Sequence, residues 1–187
     1  AHSFLHQVFE NSCKTVIIHQ KKEFDNYSKN PSINLLLVKD SFKALYKLAE
    51  FARKRSSAKI IAITGSVGKT STKEMLSQAF TTQGKCFSTP GNLNNHIGLP
   101  LCLSNFPKDC DYGIFEIGMN HLGEIEPLAK LTKPHLAIIT NVGPVHIENF
   151  KNEEEIAFAK SEIFSGLDSD GIALINNDDK YSEFLRN

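Results

Sequence analysis

Short runs of β-branched and other apolar residues alternate along the chain with stretches whose apolar positions recur every three or four residues. That alternation predicts an α/β fold, a mostly parallel sheet flanked by helices. KTVIIHQ (14–20) and INLLLVKD (33–40) read as strands, and SFKALYKLAEFARKR (41–55) reads as a helix with Ser41 at its N-cap. The polar stretch SSAK then breaks the pattern, and a domain boundary is placed at about residue 57. Beyond it KIIAIT (59–64), YGIFEIG (112–118), HLAIITNV (135–142) and GIALINND (171–178) predict further strands. A helix is expected after Lys69, with Met75, Leu76, Ala79 and Phe80 on one side and Gly84 ending it. Two more are expected, one around GEIEPLAKL that stops before Pro134 and one over roughly 153 to 167. The chain shows no internal repeat and no low-complexity tract.

Composition narrows the picture. Of 187 residues, 41% are hydrophobic and 22% charged, enough to bury one good core. Lys plus Arg and Asp plus Glu both number 21, so no basic excess points to nucleic acid or an anionic membrane, and binding is expected at a local site. Cys13, Cys86, Cys102 and Cys110 form no C-x-x-C pair, which argues against a zinc ribbon or redox motif and fits a reduced, cytoplasmic setting. No apolar run approaches the length that spans a bilayer. With its start at Ala1 and its stop at EFLRN, the chain is expected to be a segment of a longer protein.

The chemistry begins at ITGSVGKTSTKEM (63–75). A strand, a glycine turn and a helix N-terminus present unpaired backbone amides at the positive end of a helix dipole, which suits a phosphate. Gly65 and Gly68 let the backbone curl, Ser66, Val67 and Ser71 complete the loop, Lys69 can reach terminal phosphates, and the Thr70 hydroxyl is placed for Mg²⁺. The full phosphate-loop pattern has a further glycine where Ile63 stands, so this is a compact variant. The competing reading is a plain helix-starting turn.

Three more residues fall at the same edge of the sheet. Glu116 ends an apolar strand, where a carboxylate is costly unless it meets a cation; it is read as a metal ligand, against the alternative of a helix-capping acid. His146 follows a strand after a short Gly-Pro turn and is either a surface residue or a partner for Mg²⁺. Lys160 falls in the middle of a stripe formed by Ile156, Ile163 and Leu167. Such a lysine either snorkels to solvent or sits in a dry site, where a lowered pKa leaves a neutral amine able to add CO₂ and become a carbamate.

ITGSVGKTSTKEM, TPGNLNNHIGLPL, FEIGMNHLGEI, NVGPVHIENF and AKSEIFSGL occur in the order and spacing of the Mur ligase family, which the chain resembles over essentially its whole length. The asparagine-rich GNLNNHIG is similar to the branch that adds D-alanyl-D-alanine to the UDP-muramoyl tripeptide, UDP-MurNAc-tripeptide. The resemblance implies that residues 1–57 are the C-terminal part of a UDP-substrate-binding domain and 58–187 the N-terminal part of a central P-loop-type ATPase domain. It implies ATP and two Mg²⁺ ions as cofactors, the first ion held by Thr70 and Glu116 and the second by His146 and carbamylated Lys160. Lys69 would grip β- and γ-phosphates, and Asn94 and Asn95 would line the path between nucleotide and UDP substrate. The reaction implied is amide formation through an acyl phosphate, by an enzyme that is monomeric at full length. This chain alone is expected to turn over negligibly. The alternatives are a non-catalytic nucleotide-binding fragment and a ligase of the folylpolyglutamate type.

Overall fold

The computed structural model describes residues 2–187, which divide into two compact units, one reaching to Lys47 and the other spanning Leu48–Asn187. The first contains helix α1 (Leu5–Glu10), strand β1 (Thr15–Ile18), helix α2 (Lys21–Tyr27), strand β2 (Asn34–Leu37) and the start of helix α3 (Ser41–Lys54). β1 and β2 pair in parallel, Thr15 opposite Asn34 and Ile18 opposite Leu37, with α2 as the crossover. Asp40, not Ser41, caps α3. Its Oδ1 accepts the amides of Phe42 at 2.8 Å and Lys43 at 3.1 Å. A carboxylate satisfies two orphan amides and meets the positive helix end, which a hydroxyl does less well. The Ser41 hydroxyl is instead 2.8 Å from His19 Nδ1.

The second unit is a five-stranded, wholly parallel sheet in the order β4-β5-β3-β6-β7. Its strands are β3 (Lys59–Thr64), β4 (Cys86–Ser88), β5 (Tyr112–Glu116), β6 (Leu136–Ile139) and β7 (Ile172–Ile175). The helices are α4 (Lys69–Thr81), α5 (Gly98–Ser104), α6 (Ile125–Thr132), α7 (Glu153–Ser161) and α8 (Ser182–Arg186). β3 runs through the centre and is covered on both faces, so Ile60, Ile61, Ala62 and Ile63 are all buried and its sequence does not alternate. On one face Ile61, Ile63, Ile114 and Ile138 pack with Leu76 and Phe80. In a separate aromatic cluster the ring of Phe106 meets Phe87 and Phe115 edge-on, at 5.3 and 5.5 Å. No helix among the described residues is long and apolar enough to cross a membrane.

Three expectations need revision. The buried face of α4 runs through Lys73, Leu76 and Phe80, whereas Met75 is 63% exposed and Ala79 is also exposed. Treating Lys73 as a solvent residue rotates the expected face away from the real one. The helix expected over 153–167 ends at Ser161 and tightens into a 3₁₀ turn at Glu162–Gly166. Helix α4, expected to end at Gly84, closes at Thr81 with Thr82 as its C-cap. Helix α5 is a further element, and its Pro100, in the first turn, lacks only an amide that the helix would not bond.

Two charged side chains close α6. Glu162 accepts the amides of Gly123 at 2.7 Å and of Ile125 and Glu126 at 3.1 Å each, so a carboxylate from the turn after α7 satisfies the helix N-terminus. Arg53 donates from Nε to the carbonyl of Thr132 at 2.7 Å and from Nη2 to that of Lys133 at 3.0 Å. Glu162→Ala leaves three amides without their acceptor and is expected to destabilise the chain by about 1–3 kcal/mol. Urea denaturation of the two proteins measures it, with Glu162→Gln expected to lose less.

Candidate active site

The three central strands end together. Ile63 lies opposite Glu116 of β5 on one side and opposite Ile138 of β6 on the other, so their carboxyl ends open onto one rim. The loop 65–68 continues β3 there. A Cβ on Gly65 would fall 1.9 Å from Thr140 Oγ1, and Gly68, with φ +84°, is the left-handed N-cap of α4.

The loop is strapped to the residues that follow β6. Asn141 accepts the Ser66 amide on its carbonyl and the Val67 amide on its Oδ1, both at 3.0 Å. Ser66 Oγ donates to the Gly143 carbonyl and accepts the Gly143 amide, both at 2.8 Å, while Thr140 Oγ1 donates to the Val67 carbonyl at 2.7 Å. The backbone amides of Ser66 and Val67 are therefore engaged within the protein. Those of Gly68, Lys69, Thr70 and Ser71 have no acceptor among the described residues and gather at the positive end of α4. Lys69 folds back over the loop, its Nζ donating to the carbonyls of Gly65 at 2.7 Å and Ser66 at 3.3 Å. Burial lowers its pKa, and the Glu116 carboxylate works in the opposite direction.

Glu116 is 2% exposed. Its Oε2 accepts from the Thr70 hydroxyl at 2.9 Å and its Oε1 from the Asn94 Nδ2 at 2.8 Å, while its amide donates to Thr89 Oγ1 at 3.1 Å. Both carboxylate partners are uncharged, so the charge is held without being neutralised. Asn94 thus binds the carboxylate directly. Asn95 forms a turn: its Oδ1 accepts the amides of Ile97 at 3.1 Å and Gly98 at 2.8 Å, at the start of α5.

A cavity of about 270 Å³ opens beside these groups, lined by Lys69, Asn94, Asn95, His121, His146 and Lys160 among others. Lys160 is 3% exposed between the fully buried Ile156 and Ile163, and no described residue accepts a hydrogen bond from its ammonium. Burial, reinforced by the positive charge of Lys69, brings its pKa down to about 7. The dry alternative of the two sequence readings is the one that applies. His146 reaches the cavity wall through a left-handed backbone, φ +61°, and its side chain is exposed, 3.9 Å from Glu148. Among the described residues no three His, Cys, Asp or Glu side chains come together as a metal cage. The oxygens that do converge are those of Thr70 and Glu116, and they are of the hard type that Mg²⁺ takes.

A sequence profile described as the Mur ligase middle domain matches residues 63–187, from the strand that feeds the loop to the last residue. The chain belongs to the Mur ligase family. Among curated relatives, the UDP-N-acetylmuramoyl-tripeptide--D-alanyl-D-alanine ligase of Rickettsia prowazekii (strain Madrid E) is 42% identical over 175 residues, which cover 94% of this chain and 38% of that protein. The ligase of the same name from Escherichia coli (strain K12) is 38% identical over 178 residues, 95% of this chain and again 38% of the relative. Among solved structures, MurF from Acinetobacter baumannii superposes with a TM-score of 0.87 at 35% identity, covering 99% of this chain and 40% of its own. MurF from Thermotoga maritima in complex with ADP gives 0.82 at 32%, with 99% and 41% covered. The chain thus spans about two fifths of the length of these Mur ligases.

Sequence reasoning missed the straps of this Mur ligase loop. Thr140, Asn141 and Gly143 lie in TNVG, directly after a strand on the loop's own rim, and an asparagine in that place was the available signal. Lys73 and Thr89 are further residues that the sequence reading does not single out: Lys73 shares the helical face of Leu76 and Phe80, which was the available signal, whereas a loop threonine carries no periodic mark. Gly65→Ala forces Thr140 aside and removes its bond to Val67, so a loss of about 1–3 kcal/mol is expected in thermal or urea unfolding. Adding Thr140→Ala, which deletes the clashing oxygen, is expected to restore part of that loss.

Proposed function

We propose that this chain carries the nucleotide-activating half of an ATP-dependent ligase of peptidoglycan precursor synthesis, one that joins D-Ala-D-Ala to UDP-MurNAc-tripeptide. The observation that carries this reading is that the unpaired amides at the start of α4 and the Thr70–Glu116 oxygen pair lie at one edge of the sheet, beside a cavity that Lys69, Asn94 and the buried Lys160 line. The names of the relatives supply the two substrates. Residues 1–57 belong in this reading to the UDP-substrate-binding domain and 58–187 to the ATPase domain. The profile's start at residue 63 supports assigning the chain from β3 onward to the ATPase domain, while the compact units part earlier, between Lys47 and Leu48, so that the second half of α3 counts with the second unit.

The residues present fit Mg-ATP. Free amides at residues 68–71 and the Lys69 ammonium suit the phosphate oxygens, with Lys69 turning from the carbonyls of Gly65 and Ser66 toward the ligand. Thr70 and Glu116 would hold one Mg²⁺, and His146 with carbamylated Lys160 a second. Divalent ions, when bound, neutralise phosphate charge so that two anions can approach. Lys160 contributes what an ordinary lysine cannot. With a pKa of about 7 its amine is half neutral at pH 7, against about one part in three thousand at the usual 10.5. In the reaction a tripeptide carboxylate oxygen bonds to the γ-phosphorus as the bond to ADP breaks. The D-Ala-D-Ala amine then attacks the acyl carbon and loses a proton, and phosphate leaves with the electrons of the C–O bond. Asn94 and Asn95 are on the cavity wall, and in this reading they would line the path between nucleotide and UDP substrate.

Two measurements test this. In calorimetric titration with Mg-ATP the chain is expected to bind and Lys69→Ala to bind at least about tenfold more weakly; absence of binding at millimolar nucleotide would overturn the reading. With ¹³C-bicarbonate, a carbamate resonance is expected to grow as pH rises through about 7, because only the neutral amine adds CO₂, and to be missing from Lys160→Met. A resonance that persists in Lys160→Met, or its absence from the wild-type chain at pH 8, would remove the modified lysine from the scheme.

A further inference from the structure

We propose that Lys73 is a positioning residue that fixes Glu116 through the segment 89–94. Lys73 lies on α4 one turn after Thr70 and its side chain is fully buried. Its ammonium donates to the Thr89 carbonyl at 2.8 Å and the Gly91 carbonyl at 3.3 Å, and it lies 3.0 Å from Glu74 Oε1 as an ion pair. Packing alone does not call for this arrangement. An apolar side chain of similar volume fills such a space without the desolvation that a buried cation suffers. What the ammonium adds is the capture of two carbonyls in a stretch of backbone that belongs to no helix or strand, with Gly91 at φ +54°.

That stretch is what holds the carboxylate. Thr89, whose carbonyl Lys73 grips, accepts the Glu116 amide on its hydroxyl at 3.1 Å. Asn94, three residues beyond Gly91, donates from its side chain to Glu116 Oε1 at 2.8 Å, and its own carbonyl accepts the Gly118 amide at 2.9 Å. Glu116 Oε2 is held from α4 itself, by Thr70. The carboxylate is therefore suspended between a helix and an irregular segment, and Lys73 ties that segment to that helix. Groups that orient a metal ligand in this way typically change metal affinity 10- to 100-fold when removed.

Lys73→Met tests the assignment by two readouts. Amide hydrogen exchange reports the support directly: Glu116 and Gly118 are expected to exchange about tenfold or more faster in the variant, with the amides of β6 unchanged. Titration of Mn²⁺ with ADP reports the consequence: affinity for the metal complex is expected to fall about tenfold or more, while ADP affinity in EDTA stays as in the wild-type chain. The second readout rests on the nucleotide reading above and the first does not. A wild-type chain that binds no nucleotide sinks that reading and leaves Lys73 to be judged on exchange alone. Unchanged exchange at Glu116 and Gly118 in a folded Lys73→Met chain overturns the proposal, as does an equal loss of affinity with and without metal. Should Lys73→Met fail to fold, Lys73→Leu, which likewise removes every donor, is read by the same criteria.

Discussion

In a parallel sheet every strand delivers its carboxyl end to the same edge, and the candidate site follows from that constraint. β3 must lie between β5 and β6 for the glycine loop, Glu116 and the 140–146 segment to meet, and the strand order with Ile63 at the same level as Glu116 and Ile138 places them there. Central placement requires β3 to be covered on both sides. The unbroken apolar run from Ile60 to Ile63 satisfies that requirement, so one short segment serves both as the middle of the core and as the stem of the loop.

Charge is distributed on this rim in an unusual way for a protein interior. One carboxylate is held by uncharged donors, and two lysines, Lys69 and Lys160, face the same cavity; burial lowers the pKa of both, the Glu116 carboxylate opposes that at Lys69, and the charge of Lys69 adds to it at Lys160. A third lysine, Lys73, is fully buried yet bonded to two carbonyls and paired with Glu74. The three illustrate different fates of the same side chain: folded over the loop's own carbonyls, left without an acceptor among the described residues, and bonded to two distant carbonyls beside a carboxylate.

Much of this was legible from sequence. The strands that build the second sheet are long apolar runs with clear ends, and apart from the three-residue β4 each was found within two or three residues. The loop and Lys160 announced themselves, one by glycine spacing and the other by a charge in an apolar stripe. What escaped is what depends on partners distant in the chain. Asn141 becomes important only once β6 lies beside β3. Lys73 is hidden for a simpler reason: the apolar residues Met75 and Ala79 draw the expected face of α4 to one side, while the buried face runs through a charged residue, Lys73, with Leu76 and Phe80.

The straps on the glycine loop bear on how a ligand would be received. With Ser66 and Val67 already tied to Asn141 and Gly143, little backbone freedom is left to lose when an anion arrives. The adjustable part is a single side chain, Lys69, which must release two carbonyls and swing outward. Such a receptor is stiff in its frame and mobile in one tether, so the entropic cost of complexation is small and concentrated in the rotamers of one lysine.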